Sequence, residues 1–153
     1  MKKIMFVCHG NICRSPMAEF VLIDMLKKHK PYLDASVSSC ATSTEEIGND
    51  VHRGTKAILN KYGIPYHRRE AVQLTRSDYQ KYDLFVGMDS ANIRNMLRIF
   101  GSDPEEKVIK LLELTDRGGD VADPWYTGNF EATYRDVCEG CQALIKLLDK
   151  KSI

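Results

Sequence analysis

The sequence predicts an α/β fold: one four-stranded parallel sheet, helices on both of its faces, and an anion-holding loop after the first strand. Three observations predict it. Four short apolar runs alternate with helical patterns along the 153 residues, an order that favours parallel strands joined by right-handed crossovers. Turn-forming residues bound those runs. The first run is followed at once by Val7-Cys8-His9-Gly10-Asn11-Ile12-Cys13-Arg14-Ser15-Pro16, which reads as strand end, tight loop and helix start.

Taken in order, residues 4–7 form the first strand. Residues 17–29 form a helix, with Val21, Leu22, Met25 and Leu26 on one face and Pro31 ending the run. Ser15 is the expected N-cap, because its hydroxyl can accept from the first turn, and Pro16 the first helical residue, where a missing N–H costs nothing. Residues 35–39 are the second strand. Residues 51–62 form a helix carrying Ala57, Ile58 and Tyr62, with Gly63 as the left-handed cap. Residues 84–88 are the third strand. The helix at 90–100 starts after Asp89, carries Ile93, Met96, Leu97 and Phe100, and stops at Gly101. Residues 108–112 are the fourth strand, and residues 130–148 the longest helix. No repeat, linker or low-complexity stretch interrupts the pattern, so residues 1–153 read as a single domain.

Composition excludes several classes. With 22 basic and 21 acidic residues the formal charge is +1, which gives no general attraction to nucleic acid or to a membrane surface. Arg68-Arg69 and Lys150-Lys151 read as solvated faces. Lys2 and Lys3 precede an apolar run, but residues 4–7 are too short for a signal-peptide core, and no segment approaches a membrane span. The cysteines at 8, 13, 40, 138 and 141 are odd in number and form no secreted framework, which points to a reducing, cytoplasmic compartment. Cys138 and Cys141 lie in an apolar helical pattern without a second ligand pair, so they read as structural thiols and not as a metal site.

The segment from Cys8 to Arg14 carries the chemistry. A five-residue loop between a thiol and a guanidinium can curl its N–H groups inward, and the following helix adds the positive end of its dipole. Both favour a thiolate at Cys8. Arg14 offers a planar fork that matches two oxygens of a phosphoryl group. Gly10 admits close backbone approach, and Asn11 tolerates left-handed geometry. Singly, these are a buried thiol, a solvated charge and a turn; together, between a strand and a helix, they read as a nucleophile in a phosphate-binding loop. Ligands of parallel sheets lie beyond the carboxyl ends of the strands, so the loops starting at Ser39-Cys40 and Met88-Asp89 should gather around Cys8.

The Cys-x5-Arg-Ser pattern resembles the signature of the low-molecular-weight protein tyrosine phosphatases. Later blocks resemble the same family in order: Ser39-Cys40-Ala41-Thr42-Ser43 with Glu46-Ile47-Gly48-Asn49, then Gly63-Ile64-Pro65, Met88-Asp89 and Asp123-Pro124-Trp125-Tyr126. The resemblance implies a hydrolase of phosphotyrosine proteins and small aryl phosphates that works through a phosphocysteine. Cys8 would be the nucleophile, Arg14 the phosphate clamp and Asp123 the general acid. His9, Gly10, Asn11, Ile12, Cys13, Ser15, Trp125 and Tyr126 would bind substrate, and Ser39 would support the loop. The family more often has tyrosine where Trp125 stands. His67 resembles a further loop-supporting residue, although the spacing around it departs from the family's pattern. No metal or cofactor is expected, because loop dipoles and Arg14 carry the transition-state charge. The expected partners are phosphotyrosine proteins or aryl phosphates, with inorganic phosphate and other oxyanions as inhibitors. A monomer is expected, with a weak dimer as the alternative.

Three other functions compete. A phosphoarginine phosphatase would share the fold, and in that branch the position of Ile12 resembles a threonine able to orient a guanidinium leaving group. A thiol-coupled arsenate reductase would need a cysteine pair after the third strand, and residues 88–100 contain no cysteine. A non-catalytic phosphotyrosine-binding module would not need Cys8, Arg14 and Asp123 together. Cys13 keeps two readings: a buried apolar residue of the first helix, or a resolving thiol that traps an oxidised Cys8 as a disulfide.

Overall fold

The computed structural model describes residues 2–151. Strand β1 (Lys2–Cys8) pairs in parallel with β2 (Ala35–Ala41) on one side and with β3 (Leu84–Gly87) on the other. Strand β4 (Val108–Lys110) adds to β3, giving the order β2-β1-β3-β4. The helices are α1 (Arg14–His29), α2 (Arg53–Lys61), α3 (Ser90–Phe100), α4 (Pro124–Thr127) and α5 (Phe130–Lys151).

Central β1 is buried from Ile4 to Cys8, as a parallel strand covered on both faces should be. Its residues divide between the faces by the alternation of a strand. Ile4, Phe6 and Cys8 join Met17, Leu22, Leu144 and Leu148 in the core beneath α1 and α5, whereas Met5 and Val7 join Phe85, Met96 and Phe100 beneath α3. Cys8 therefore leaves the sheet on the α1 side, where the chain turns directly into its loop. Among the described residues no helix is long and apolar enough to cross a membrane.

The element order and the parallel sheet match the sequence reading, but several boundaries move. β1 and β2 are longer than predicted. The third strand stops at Gly87, because the Met88 N–H turns to Asn92 Oδ1 at 2.9 Å. β4 stops at Lys110, and Leu111–Leu114 coil into a 3-10 turn. The assignment of Ser15 as N-cap is corrected: α1 starts at Arg14, with Cys13 in the cap position and no side-chain cap. Ser15 is already the second residue of the helix, and its Oγ is engaged by Cys8 Sγ at 2.9 Å and by Asn11 Nδ2 at 2.8 Å. Helix α2 begins at Arg53, capped by the His52 ring, and Gly63 follows it at φ 66°. Helix α3 has the predicted limits, with Asp89 and Asn92 forming a capping box and Gly101 left-handed at φ 83°. The single turn α4 has no counterpart in the sequence reading, since four residues are too few to show a period.

Candidate active site

Cys8 ends β1 at the carboxyl edge of the sheet, and the carbonyl groups of Cys8, His9, Asn11, Ile12 and Cys13 are each tied by hydrogen bonds. Cys8 O accepts from Thr42 N at 3.0 Å, and His9 O from Ser43 N at 3.1 Å and Ser43 Oγ at 2.9 Å. Asn11 O accepts from Arg69 Nη1 at 2.7 Å, and Ile12 O from His52 N at 2.8 Å. Cys13 O accepts from Met17 N at 3.2 Å and Thr55 Oγ1 at 3.3 Å. In a trans peptide the N–H points opposite to the preceding carbonyl. Each outward carbonyl thus turns the next N–H inward, so those of His9, Gly10, Ile12, Cys13 and Arg14 line the hollow of the loop. The Asn11 N–H donates to Cys8 Sγ at 3.2 Å.

Asn11 is the hub of the loop's support. It adopts φ 61°, in the left-handed region that asparagine tolerates. Its amide donates to Ser15 Oγ at 2.8 Å and Ser39 Oγ at 3.0 Å, and its carbonyl oxygen accepts from Val72 N at 3.2 Å. Ser39 Oγ in turn donates to Glu19 Oε1 at 2.5 Å, and burial pushes the Glu19 carboxyl up. Arg69 closes the network, reaching both Asn11 O and Ser39 Oγ, the latter at 3.3 Å. Arg69, and not His67, makes these bonds to the loop; the His67 ring lies edge-on to Phe20 at 5.2 Å, its Nδ1 is 3.0 Å from the Arg68 carbonyl, and it acts on Glu19 through charge. The bonds to the loop also correct the reading of Arg69 as part of a solvated pair.

Arg14 is 4% exposed and fully directed. Its Nη1 donates to Val121 O at 3.1 Å, while Nη2 meets Asp89 Oδ2 at 2.9 Å and Asp123 Oδ2 at 3.5 Å. Two carboxylates and a carbonyl compensate a buried guanidinium, whose isolation would be costly. Both acids divide their oxygens between tasks. Asp89 Oδ1 caps α3 by accepting from Asn92 N at 2.8 Å, and Asp123 Oδ1 caps α4 by accepting from Trp125 N at 3.1 Å. Asp123 is therefore both a turn cap and a neighbour of Arg14. The sequence places the loop starting at Met88-Asp89 near Cys8 but gives Asp89 no role there; the structure sets its carboxylate against Arg14.

These groups open into a cleft of about 670 Å³. Its floor is the segment from Cys8 to Arg14, and Asp89, Asp123, Trp125, Tyr126, Glu45 and Glu46 also line it. Ser15 and Ser39 stand behind the loop. His9 at the rim meets Glu45 Oε2 at 2.9 Å. The side chain of Ile12 packs with Cys13, Ala71 and Phe130. Burial, reinforced by Cys8, pushes the Cys13 thiol up to about 12, so it stays protonated at neutral pH. Among the described residues no three His, Cys, Asp or Glu side chains are grouped to hold a metal ion.

Comparison with known proteins gives a consistent set of matches. The family model described as "Low molecular weight phosphotyrosine protein phosphatase" matches residues 3–153. The low molecular weight protein-tyrosine-phosphatase PtpA of Staphylococcus aureus strain Newman is 38% identical over 98% of this chain and 96% of its own. The crystal structure of YfkJ from Bacillus subtilis superposes with a TM-score of 0.95 at 34% identity, covering 100% of this chain and 98% of that one. The crystal structure of SP-PTP, a low molecular weight protein tyrosine phosphatase from Streptococcus pyogenes, gives 0.85 at 40% identity, over 97% and 93% respectively.

Proposed function

The chain belongs to the low molecular weight phosphotyrosine protein phosphatases, and on that premise we propose that it hydrolyses phosphotyrosine proteins and small aryl phosphates through a phosphocysteine on Cys8. One observation carries this reading: the carbonyls of the loop are tied away from the cleft that Cys8 and Arg14 line, which turns the following N–H groups toward it. Such donors match three phosphoryl oxygens whose charge spreads in the transition state.

The chemistry divides into two displacements. Cys8 Sγ attacks phosphorus and the bond to the aryl oxygen breaks; Asp123, which enters this step as the carboxylic acid, gives that oxygen its proton. Water then attacks phosphorus, Asp123 takes its proton, and the S–P bond breaks to return the thiolate. Ser15 Oγ, 2.9 Å from Cys8 Sγ, can donate to the sulfur as it departs. Arg14 clamps two phosphoryl oxygens, and Asp89 Oδ2, 2.9 Å from its Nη2, holds the fork from one side. Trp125 and Tyr126 would flank the substrate ring, and free phosphate would compete for the same loop. A cytoplasmic monomer acting on phosphotyrosine proteins fits this reading.

A metal-free hydrolysis panel of phosphotyrosine, phosphoserine and phosphoarginine peptides tests the proposal. Phosphotyrosine should give the highest kcat/KM, and quenched turnover should leave phosphate on Cys8 by mass spectrometry. Label on another residue, or none with full turnover, would refute the covalent route.

Two variants refine it. Asp123→Ala should lower kcat about 100- to 1,000-fold on phosphotyrosine and far less on an activated aryl phosphate, whose better leaving group needs its proton less. Equal losses on both would leave Asp123 only its capping role. Ile12 lines the cleft beside Trp125 and Tyr126 and brings no hydrogen-bonding group to it, whereas a threonine at that place would offer a hydroxyl to a guanidinium leaving group. Wild-type enzyme should therefore favour phosphotyrosine over phosphoarginine, with Ile12→Thr moving the ratio of kcat/KM values toward phosphoarginine. A higher kcat/KM of the wild type on phosphoarginine would reverse the substrate assignment.

A further inference from the structure

Trp125 is 64% exposed, yet it must stand at a fixed distance from the loop if it is to flank a ring whose phosphate is seated there. We propose that His52 is the positioning residue that holds this aromatic wall in register with the loop, and so sets the affinity for aromatic phosphate esters. The proposal rests on the phosphatase reading of the site.

His52 joins the two parts through separate atoms. Its backbone N–H donates to Ile12 O at 2.8 Å, which helps to turn the Cys13 N–H inward. Its Nδ1 accepts from Gly54 N at 3.0 Å, an arrangement that fixes the ring plane and leaves the ring proton on Nε2. One face of the imidazole stacks on Phe130, with centroids 5.3 Å apart and planes 15° apart. Trp125 meets the same ring edge-on, at 5.6 Å and 69°. Phe130 is itself packed on Ile12, Cys13 and Ala71. Gly54 is required beneath it, because an added Cβ would overlap the Phe130 ring. A ladder of rings thus runs from under the loop to the rim, with His52 as its middle step. Without that step the indole would have to be ordered by the substrate on each binding event.

Two variants separate the ring from the cap. His52→Asn keeps a side-chain acceptor for the Gly54 N–H and the backbone donor to Ile12, but has no ring. His52→Phe keeps a ring and loses the acceptor. Since Trp125 is the only tryptophan of the sequence, fluorescence anisotropy reports on the wall independently of turnover. His52→Asn should lower the anisotropy and raise KM for a phosphotyrosine peptide about 2- to 10-fold, the range of one aromatic contact. The inhibition constant of inorganic phosphate should not move. His52→Phe should keep KM near the wild-type value while lowering Tm. A parallel rise of KM and the phosphate constant in His52→Asn would mean general damage to the loop and overturn the proposal, as would an unchanged KM in the folded variant. Unchanged anisotropy overturns it with or without activity, whereas absence of phosphotyrosine turnover in the wild type would strike the phosphatase reading itself.

Discussion

Cys8→Ser should lower kcat on phosphotyrosine by at least about 10,000-fold, the scale seen when a nucleophile is removed from a preorganised site, while inorganic phosphate still binds. The two halves of that expectation come from different atoms. In the proposed mechanism sulfur is the nucleophile while the loop N–H groups and Arg14 form the anion site, and none of the carbonyl anchors that shape the loop involves the Cys8 side chain. A serine hydroxyl at this place has the Asn11 N–H and Ser15 Oγ as neighbours, and neither can take its proton. Metal-free turnover and phosphate competition measured on the same preparation check it. Turnover within about tenfold of wild type would exclude Cys8 as nucleophile, because among the described residues the hydrogen-bond partners of its side chain are Ser15 Oγ and the Asn11 N–H, neither of them a base.

How much of this is legible in the sequence depends on how far apart the interacting atoms lie along the chain. The sheet is legible because each strand and each helix declares its own period, and alternation alone implies parallel pairing. The loop from Cys8 to Arg14 is legible because its thiol, glycine, left-handed asparagine and arginine are contiguous. Its supports are not. Arg69 lies 58 residues from Asn11, and beside Arg68 it looks like one of two surface charges; only the fold turns one guanidinium inward. Asp89 reads as a helix cap, and it is one, yet its second oxygen reaches Arg14 across the strand ends. The misplaced cap at Ser15 has a local origin instead. The helix starts one residue earlier, at Arg14, and the loop that doubles back offers the hydroxyl a thiol and an amide.

Arg14→Lys should lower kcat/KM about 1,000-fold or more, with weaker inhibition by phosphate, even though the formal charge is preserved. The wild-type guanidinium makes three directed contacts, Nη1 to Val121 O and Nη2 to Asp89 and Asp123, and it is 4% exposed. An ammonium at the end of a flexible stem can satisfy one carboxylate but cannot span the Val121 carbonyl and both acids in one plane. The group left without a donor then sits in a poorly solvated place, at a cost of about 1–3 kcal/mol. Part of the loss should therefore appear as a lower Tm, and the remainder as lost discrimination for the transition state, where a fork aligned with two phosphoryl oxygens gains most. Asp89→Asn separates these parts. It removes one carboxylate that orients Arg14 without touching the fork, so it should lower kcat/KM much less than Arg14→Lys while lowering Tm to a similar degree. If the two variants lose activity equally, Arg14 acts through the ion pair alone; if Arg14→Lys keeps kcat/KM and phosphate inhibition near wild type, it is no clamp.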